Sequence, residues 1–141
     1  MKVPKNKINP FIEKIADIKI AQQETELALA LKNHFDFLPT TLTLFCEVDF
    51  LNIQPNKDYI LYIYSSHKSV PDFTPINATR VVIQKEQMIM TSASYGIAQG
   101  TLTFDLPIME DGSYALAFEL EDVNSNSLDV FYRYFYFTKG N

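Results

Sequence analysis

Apolar and polar side chains alternate along most of this 141-residue chain, and this period of two is its strongest structural constraint. The stretch TTLTLFCEVDFLNI, residues 40–53, is the clearest case. One face carries Leu42, Leu44, Cys46, Val48 and Phe50, and the other carries Thr41, Thr43, Phe45, Glu47 and Asp49. Because successive side chains of a β-strand point to opposite faces, the pattern predicts a long strand with one buried face.

Similar stretches recur, separated by polar segments that favour turns. Further strands are predicted in ADIKIAQ, DYILYIYSS, TRVVIQKEQMIMTS, GTLTFDLP, SYALAFELED and SLDVFYRYFYFT, the third of these bent or split at Lys85–Glu86. DVNSNS is predicted to turn a hairpin, and residues 67–78, HKSVPDFTPINA, are predicted to form the longest irregular loop. About seven or eight strands joined in this way predict an all-β fold, an antiparallel two-sheet sandwich of the immunoglobulin-like kind.

The alternation is less decisive at the N-terminal end. FIEKIADI has its apolar residues at helix-like spacing and is compatible with a short amphipathic helix. Residues 26–31 alternate Leu with Ala, but Leu, Ala and Glu also favour helix, so both structures remain open there. Residues 1–14 hold four Lys against one Glu, which predicts a basic N-terminal arm before a single domain over residues 15–141.

Charge and composition narrow the possible partners and the compartment. The net charge is -5, and no Lys, Arg or His occurs between Glu86 and Tyr132, which disfavours nucleic acid as a partner. No apolar run reaches the length of a membrane span, so no membrane partner is expected. The single cysteine, Cys46, excludes an internal disulfide and is predicted to be a buried core residue. Without an apolar segment behind its first lysines, the chain is predicted to be cytoplasmic.

The order of these segments resembles a known group of domains. A β-hairpin is followed by LPTTLTLFCEVDFLNI, then by DYILYIY, and late in the chain by a MEDGSYALAFEL hairpin. This order is similar to small uncharacterised immunoglobulin-like β-sandwich domains of low-GC bacteria and their phages, over roughly residues 15–138. The resemblance implies the sandwich fold but no catalytic or binding residues. Antibody-type domains differ, since this chain lacks tryptophan and an inter-sheet disulfide.

The terminal strand has no polar face, and this carries the main functional hypothesis. Tyr132, Tyr134 and Tyr136 alternate with Phe131, Arg133, Phe135 and Phe137, and Tyr62 and Tyr64 form a second alternating pair. If the two strands are neighbours, the five tyrosines form one aromatic face. Three covers are possible: the N-terminal segment with Phe11, Ile12 and Ile15, a protein partner or second copy, or sugar rings. The protein interface predicts a non-enzymatic binding or assembly module that self-associates or binds another protein.

An enzymatic alternative depends on few residues. His67 lies in SSHKS at a predicted strand end, where a small hydrolase would place a site. Two acidic turns offer oxygen ligands for a metal such as Ca²⁺, if the loops gather at one end of the sandwich. These residues are Glu110, Asp111, Glu119, Glu121, Asp122, Asn124, Asn126 and Asp129. Their spacing matches no known calcium loop, and no glycine-rich phosphate loop is present. We therefore predict no catalytic residues, no metal site and no cofactor.

Overall fold

The computed structural model describes residues 12–140, and it is an all-β sandwich of two packed sheets. Its strands are β1 Lys14–Gln22, β2 Lys32–Phe35, β3 Thr40–Ile53, β4 Tyr59–His67, β5 Val70–Val81, β6 Ile89–Met90, β7 Gly96–Ile108, β8 Gly112–Asp122 and β9 Ser127–Lys139. The four-stranded sheet has the order β1-β3-β7-β6, and the five-stranded sheet has the order β2-β9-β8-β4-β5. Neighbouring strands are antiparallel except β2 and β9, which are parallel. The predicted sandwich is confirmed.

The core lies between the sheets and uses the alternating residues that the sequence indicates. Leu44, Cys46, Val48 and Phe50 of β3 are buried against inward-facing residues of β4, β8 and β9. The inward faces of β7 and β8 also follow the predicted alternation. In the part of the chain that the structure describes, no helix is long and apolar enough to cross a membrane.

β1 replaces the short helix considered for FIEKIADI, and a β-bulge explains the difference. Ile15 pairs with Phe50 and Ile18 pairs with Val48, so three positions along β1 match two positions along β3. The extra residue, Ala16, allows both isoleucines to face the core, where they are buried. A bulge therefore produced the helix-like spacing. Of the basic arm predicted over residues 1–14, only residues 12–14 fall within the described part, and Lys14 begins β1.

The prediction of an irregular loop over residues 67–78 is wrong. Only a tight turn follows His67, and β5 begins at Val70 and contains both Pro71 and Pro75. β5 is the edge of the five-stranded sheet, where a residue without an N–H group can face solvent. The predicted break at Lys85–Glu86 occurs at a 3₁₀ turn, Lys85–Gln87, after which β6 joins the other sheet.

Residues 23–31 are neither helix nor strand, apart from one bridge between Ala21 and Ala28. This segment connects β1 in one sheet to β2 in the other. Leu29 packs against the core, whereas Leu27 and Leu31 are exposed. Of the three alternating leucines, only Leu29 contacts the core, so the alternation does not mark one buried face.

A buried carboxylate ties the start of β1 to β4. Glu13 accepts hydrogen bonds from Lys57 Nζ at 2.6 Å and from the Tyr59 hydroxyl at 2.9 Å. Burial alone would raise the pKa of Glu13, but these hydrogen bonds and the Lys57 charge outweigh it, so its pKa lies below the ordinary value. Burial raises the pKa of Tyr59 as well.

We expect Glu13→Gln to destabilise the fold by about 2 kcal/mol at neutral pH, because Lys57 and Tyr59 lose a charged acceptor. A carboxyl group with a lowered folded-state pKa stabilises above its unfolded pKa and loses that contribution as the pH falls. The difference in urea-unfolding free energy between wild type and variant should therefore shrink below about pH 4.5. Glu86→Gln on the exposed 3₁₀ turn is the control. A pH-independent difference would contradict the ionic account.

Cys46 is fully buried, and burial raises the pKa of its thiol to about 12. Since the thiolate is the reactive form, we expect a thiol reagent to label native protein at least about a hundredfold more slowly than unfolded protein. Absorbance at pH 8 with an aromatic disulfide reagent measures both rates. Equal rates would contradict the burial of Cys46.

Candidate binding face

The two tyrosine rows lie on the outer face of the five-stranded sheet, with β8 between them. Tyr64 of β4 pairs with Ala117 of β8, and Ala117 pairs with Tyr132 of β9. The three residues form one row across the sheet, with the backbones of the two tyrosines about 10 Å apart. The condition that β4 and β9 are neighbours is therefore not met. One strand of small residues separates the rows.

The β9 tyrosines are exposed in the described structure. Tyr132, Tyr134 and Tyr136 keep 49%, 63% and 44% of their surface, and Tyr132 and Tyr134 stack with ring centres 6.4 Å apart. Tyr62 and Tyr64 are half-buried, with ring centres 6.1 Å apart. One possible cover for the tyrosines was an N-terminal segment with Phe11, Ile12 and Ile15. Ile15 does not cover them, because it is buried in the core. Phe11 lies outside the described residues.

Phe73 joins the two rows, although the sequence analysis assigned it to a loop. It projects from β5 and lies 6.1 Å from the Tyr132 ring, centre to centre. A cleft of about 240 Å³ is lined by Tyr64, Phe73, Ala117, Glu119, Val130 and Tyr132. Ala117 is only 5% exposed on this outward face, and it does not belong to the core cluster. The aromatic residues on both sides therefore enclose it.

Carboxylates border one end of this cleft. Glu119 accepts hydrogen bonds from the Tyr64 hydroxyl at 3.4 Å and from the Ser127 hydroxyl at 2.9 Å. Burial, followed by the charges of Glu119 and Glu121, raises the pKa of Tyr64. Burial and the nearby Glu119 side chain raise the pKa of Glu121. Negative charge is thus concentrated beside the aromatic rings.

Arg133 lies on the opposite face of β9 from the tyrosines. Its guanidinium donates to Asp17 Oδ1 at 3.0 Å and to the Ile18 carbonyl, and it lies 5.2 Å from the centre of the Phe131 ring. Its head group thus reaches an acidic residue of β1, an edge strand of the other sheet. Arg133 therefore links β9 to β1.

His67, at the end of β4, contacts the turn that precedes β8. Its Nδ1 lies 3.2 Å from Glu110 Oε1, its Nε2 lies 3.2 Å from the Asp111 carbonyl, and its ring packs on Tyr114. The Ser66 hydroxyl donates to the Pro71 carbonyl, and Ser69 meets His67 through its backbone N–H. Among residues 12–140, the His67 ring is hydrogen-bonded to the Asp111 carbonyl and the Ser69 N–H and not to a serine hydroxyl that it could activate.

The acidic residues considered for a metal lie at opposite ends of the sandwich. Glu110 and Asp111 precede β8, and the turn after Asp122 follows it, which places them roughly 35 Å apart. The Asp122 carboxylate accepts hydrogen bonds from the backbones of Asn124 and Asn126, and those with Asn126 lower its pKa most. Within residues 12–140, no group of three or more His, Cys, Asp or Glu residues is arranged to hold a metal ion.

Comparison with solved structures defines the class of fold. A bacterial adhesin from Mobiluncus mulieris with intramolecular cross-links superposes with a TM-score of 0.58 and 9% identity, covering 90% of this chain and 58% of the adhesin chain. The C-terminal domain of wzt gives 0.54 and 15%, covering 92% and 75%. A crustacean hemolymph prophenoloxidase gives 0.57 and 8%, covering 92% and 34%. The chain thus spans about three-fifths of the adhesin chain, and the likeness concerns the β-sandwich alone.

No protein-family model matches the chain, and no curated protein matches it in sequence. The class is therefore given by the fold alone.

The two faces of β9 should differ sharply in mutational cost. Phe137 is fully buried, so we expect Phe137→Ala to lower the free energy of unfolding by about 3–5 kcal/mol. Tyr136→Ala should cost only about 1 kcal/mol, because that side chain is 44% exposed. Urea titration of both variants measures the contrast. Similar losses for the two variants would show that the tyrosine row is covered.

Proposed function

We propose that this chain is a non-enzymatic binding domain that docks a protein partner on the outer face of its five-stranded sheet. The docking residues are Tyr62, Tyr64, Phe73, Tyr132, Tyr134 and Tyr136. The observation that carries the proposal is the exposure of the β9 tyrosines, each between 44% and 63%. Monomeric proteins rarely leave a contiguous apolar patch open, and such patches mark interaction sites.

The residue types fit this role. Tyrosine is enriched at protein interfaces because it combines a large apolar ring with a hydroxyl that can form hydrogen bonds. It also loses little conformational entropy when it becomes ordered. Tyr132 and Tyr134 already stack on each other, and Phe73 packs beside Tyr132, so part of this ordering is complete before a partner arrives. A pre-ordered surface binds with a lower entropic cost.

The shape of the face supports a structured occupant. Ser113, Ala115 and Ala117 form a strip of small outward residues along β8, between Tyr64 on one side and the β9 tyrosines on the other. A raised side chain of a partner can enter this strip and contact aromatic rings on both sides. Fully enclosed aromatic contacts of this kind dominate the energy of many interfaces.

The test replaces the tyrosine row with residues that keep strand propensity. We expect Y132T/Y134T/Y136T to remain folded, with a loss of about 1–2 kcal/mol from stacking and partial burial. If the partner is a second copy, light scattering should give a mass above that of the monomer for wild type and the monomer mass for the variant. The measurement covers about 0.01–1 mM protein, the range in which weak interfaces associate.

If the wild-type protein is monomeric over this range, the partner must be a different protein. A displayed random-peptide library is then selected on wild type, and its binders are tested against the triple threonine variant. The control, I89S/I97S, removes exposed apolar residues from the other sheet. Loss of binding in the tyrosine variant alone supports the proposal. Absence of both self-association and tyrosine-dependent peptide binders overturns it, and tyrosine-dependent binding to a glycan array replaces protein with sugar as the occupant.

A further inference from the structure

We infer that the cleft between Tyr64, Phe73 and Tyr132 takes an arginine or lysine side chain from a basic peptide segment of the partner. The inference rests on the proposed function and names the chemistry of the group that anchors the partner. Ala117 forms the floor of the cleft, and Glu119 lies at its border. The site is therefore an open cleft between aromatic rings, with a carboxylate beside it.

The aromatic rings supply the first part of the argument. A cation over the face of an aromatic ring is attracted by the negative charge above the ring plane, and several rings around one cation strengthen the effect. Tyr64 and Tyr132 stand on either side of Ala117, and Phe73 approaches Tyr132 at a tilt of 49° between the ring planes. Because Ala117 is only 5% exposed, the rings close over the floor of the cleft. A flat guanidinium or an ammonium group would lie above this floor, against the exposed faces of the rings.

The carboxylates supply the second part. Glu119 and Glu121 project from the same face of β8, and both hydrogen-bond donors that Glu119 receives, Tyr64 and Ser127, are neutral hydroxyl groups. Two neighbouring carboxylates repel each other, and a cation placed between the rings and Glu119 relieves that repulsion. An anionic or purely apolar partner group gains nothing from this arrangement.

No Lys or Arg of the described residues forms an ion pair with Glu119 or Glu121. Among residues 12–140, the ion pairs of Lys and Arg lead to Glu13, Asp17, Asp58 and Asp129, and none leads to Glu119 or Glu121. Arg80, which lies on the same face near Glu121, is held by Asp58 at 2.6 Å. The charge of the cleft is therefore complementary to a cation from outside.

The experiment follows the methyl group of Ala117 by NMR in full-length protein labelled with ¹³C at alanine methyl groups. The probes are the peptide acetyl-Gly-Gly-Arg-Gly-Gly-amide and the same peptide with citrulline, a neutral isostere of arginine. We expect the arginine peptide to shift the Ala117 signal at millimolar concentration, and the citrulline peptide to bind at least about tenfold more weakly. Ala98, buried in the core, serves as the reference signal.

Two variants assign the contributions. Glu119→Gln should weaken the arginine peptide by about fivefold or more and leave the citrulline peptide unchanged, because only the charge is removed. Phe73→Ala should weaken the arginine peptide as well. The matched control is Glu47→Gln, which removes a carboxylate from the outer face of the other sheet. Binding of the arginine peptide should also weaken as salt rises, since exposed charges are screened.

The outcomes separate this inference from the proposed function. Equal binding of the arginine and citrulline peptides, or full binding by Glu119→Gln, overturns cation recognition and leaves the aromatic face as a docking surface. An Ala117 signal that neither peptide moves overturns the inference too, whatever the self-association and library experiments give. An Ala117 shift caused instead by cellohexaose, tested as a third probe, assigns the cleft to sugar.

Discussion

The position of β8 in the middle of the five-stranded sheet determines both the core and the outer face. Its inward residues Tyr114, Leu116, Phe118 and Leu120 are buried between the sheets. Its outward residues are small toward the start of the strand and acidic toward its end. The antiparallel register with β4 and β9 then places a tyrosine on each side of Ala117. A single strand thus fixes the hydrophobic packing, the width of the cleft and the location of its negative charge, and a shift in register by one residue would exchange these roles.

Much of the fold follows from the sequence because the alternation of apolar and polar residues indicates which face of a strand is buried. The alternation in β3, β7 and β8 identifies the core residues correctly, whereas β9 has an apolar or aromatic residue on both faces. It misleads where a local irregularity changes the count, as at Ala16, where a bulge turns strand spacing into helix-like spacing. Proline misled the assignment of β5, since Pro71 and Pro75 indicate a loop unless the strand is known to be an edge. Edge position depends on the whole sheet, which local residues do not encode.

The candidate binding face is only partly predictable from the sequence, because local residues do not encode which strands are neighbours. The tyrosine rows on β4 and β9 are visible as alternation, but the strand between them and the approach of Phe73 depend on long-range pairing. Distance along the chain misleads in the other direction for the acidic turns. Residues Glu110 and Asp122 are close in sequence, yet β8 holds them at opposite ends of the sandwich. Polar residues near one strand in sequence therefore share a site only if they lie at the same end of it.

Charge is distributed unevenly along the chain. The cleft is built from the stretch between Glu86 and Tyr132, which has no Lys, Arg or His, together with β4 and β5. The lysines at positions 2, 5 and 7 precede the described residues. These lysines are of the chemical class that the proposed cation site would bind, and in the sequence they stand beside apolar residues such as Val3 and Ile8. In the proposed interaction the aromatic rings would supply contact area and Glu119 would select positive charge.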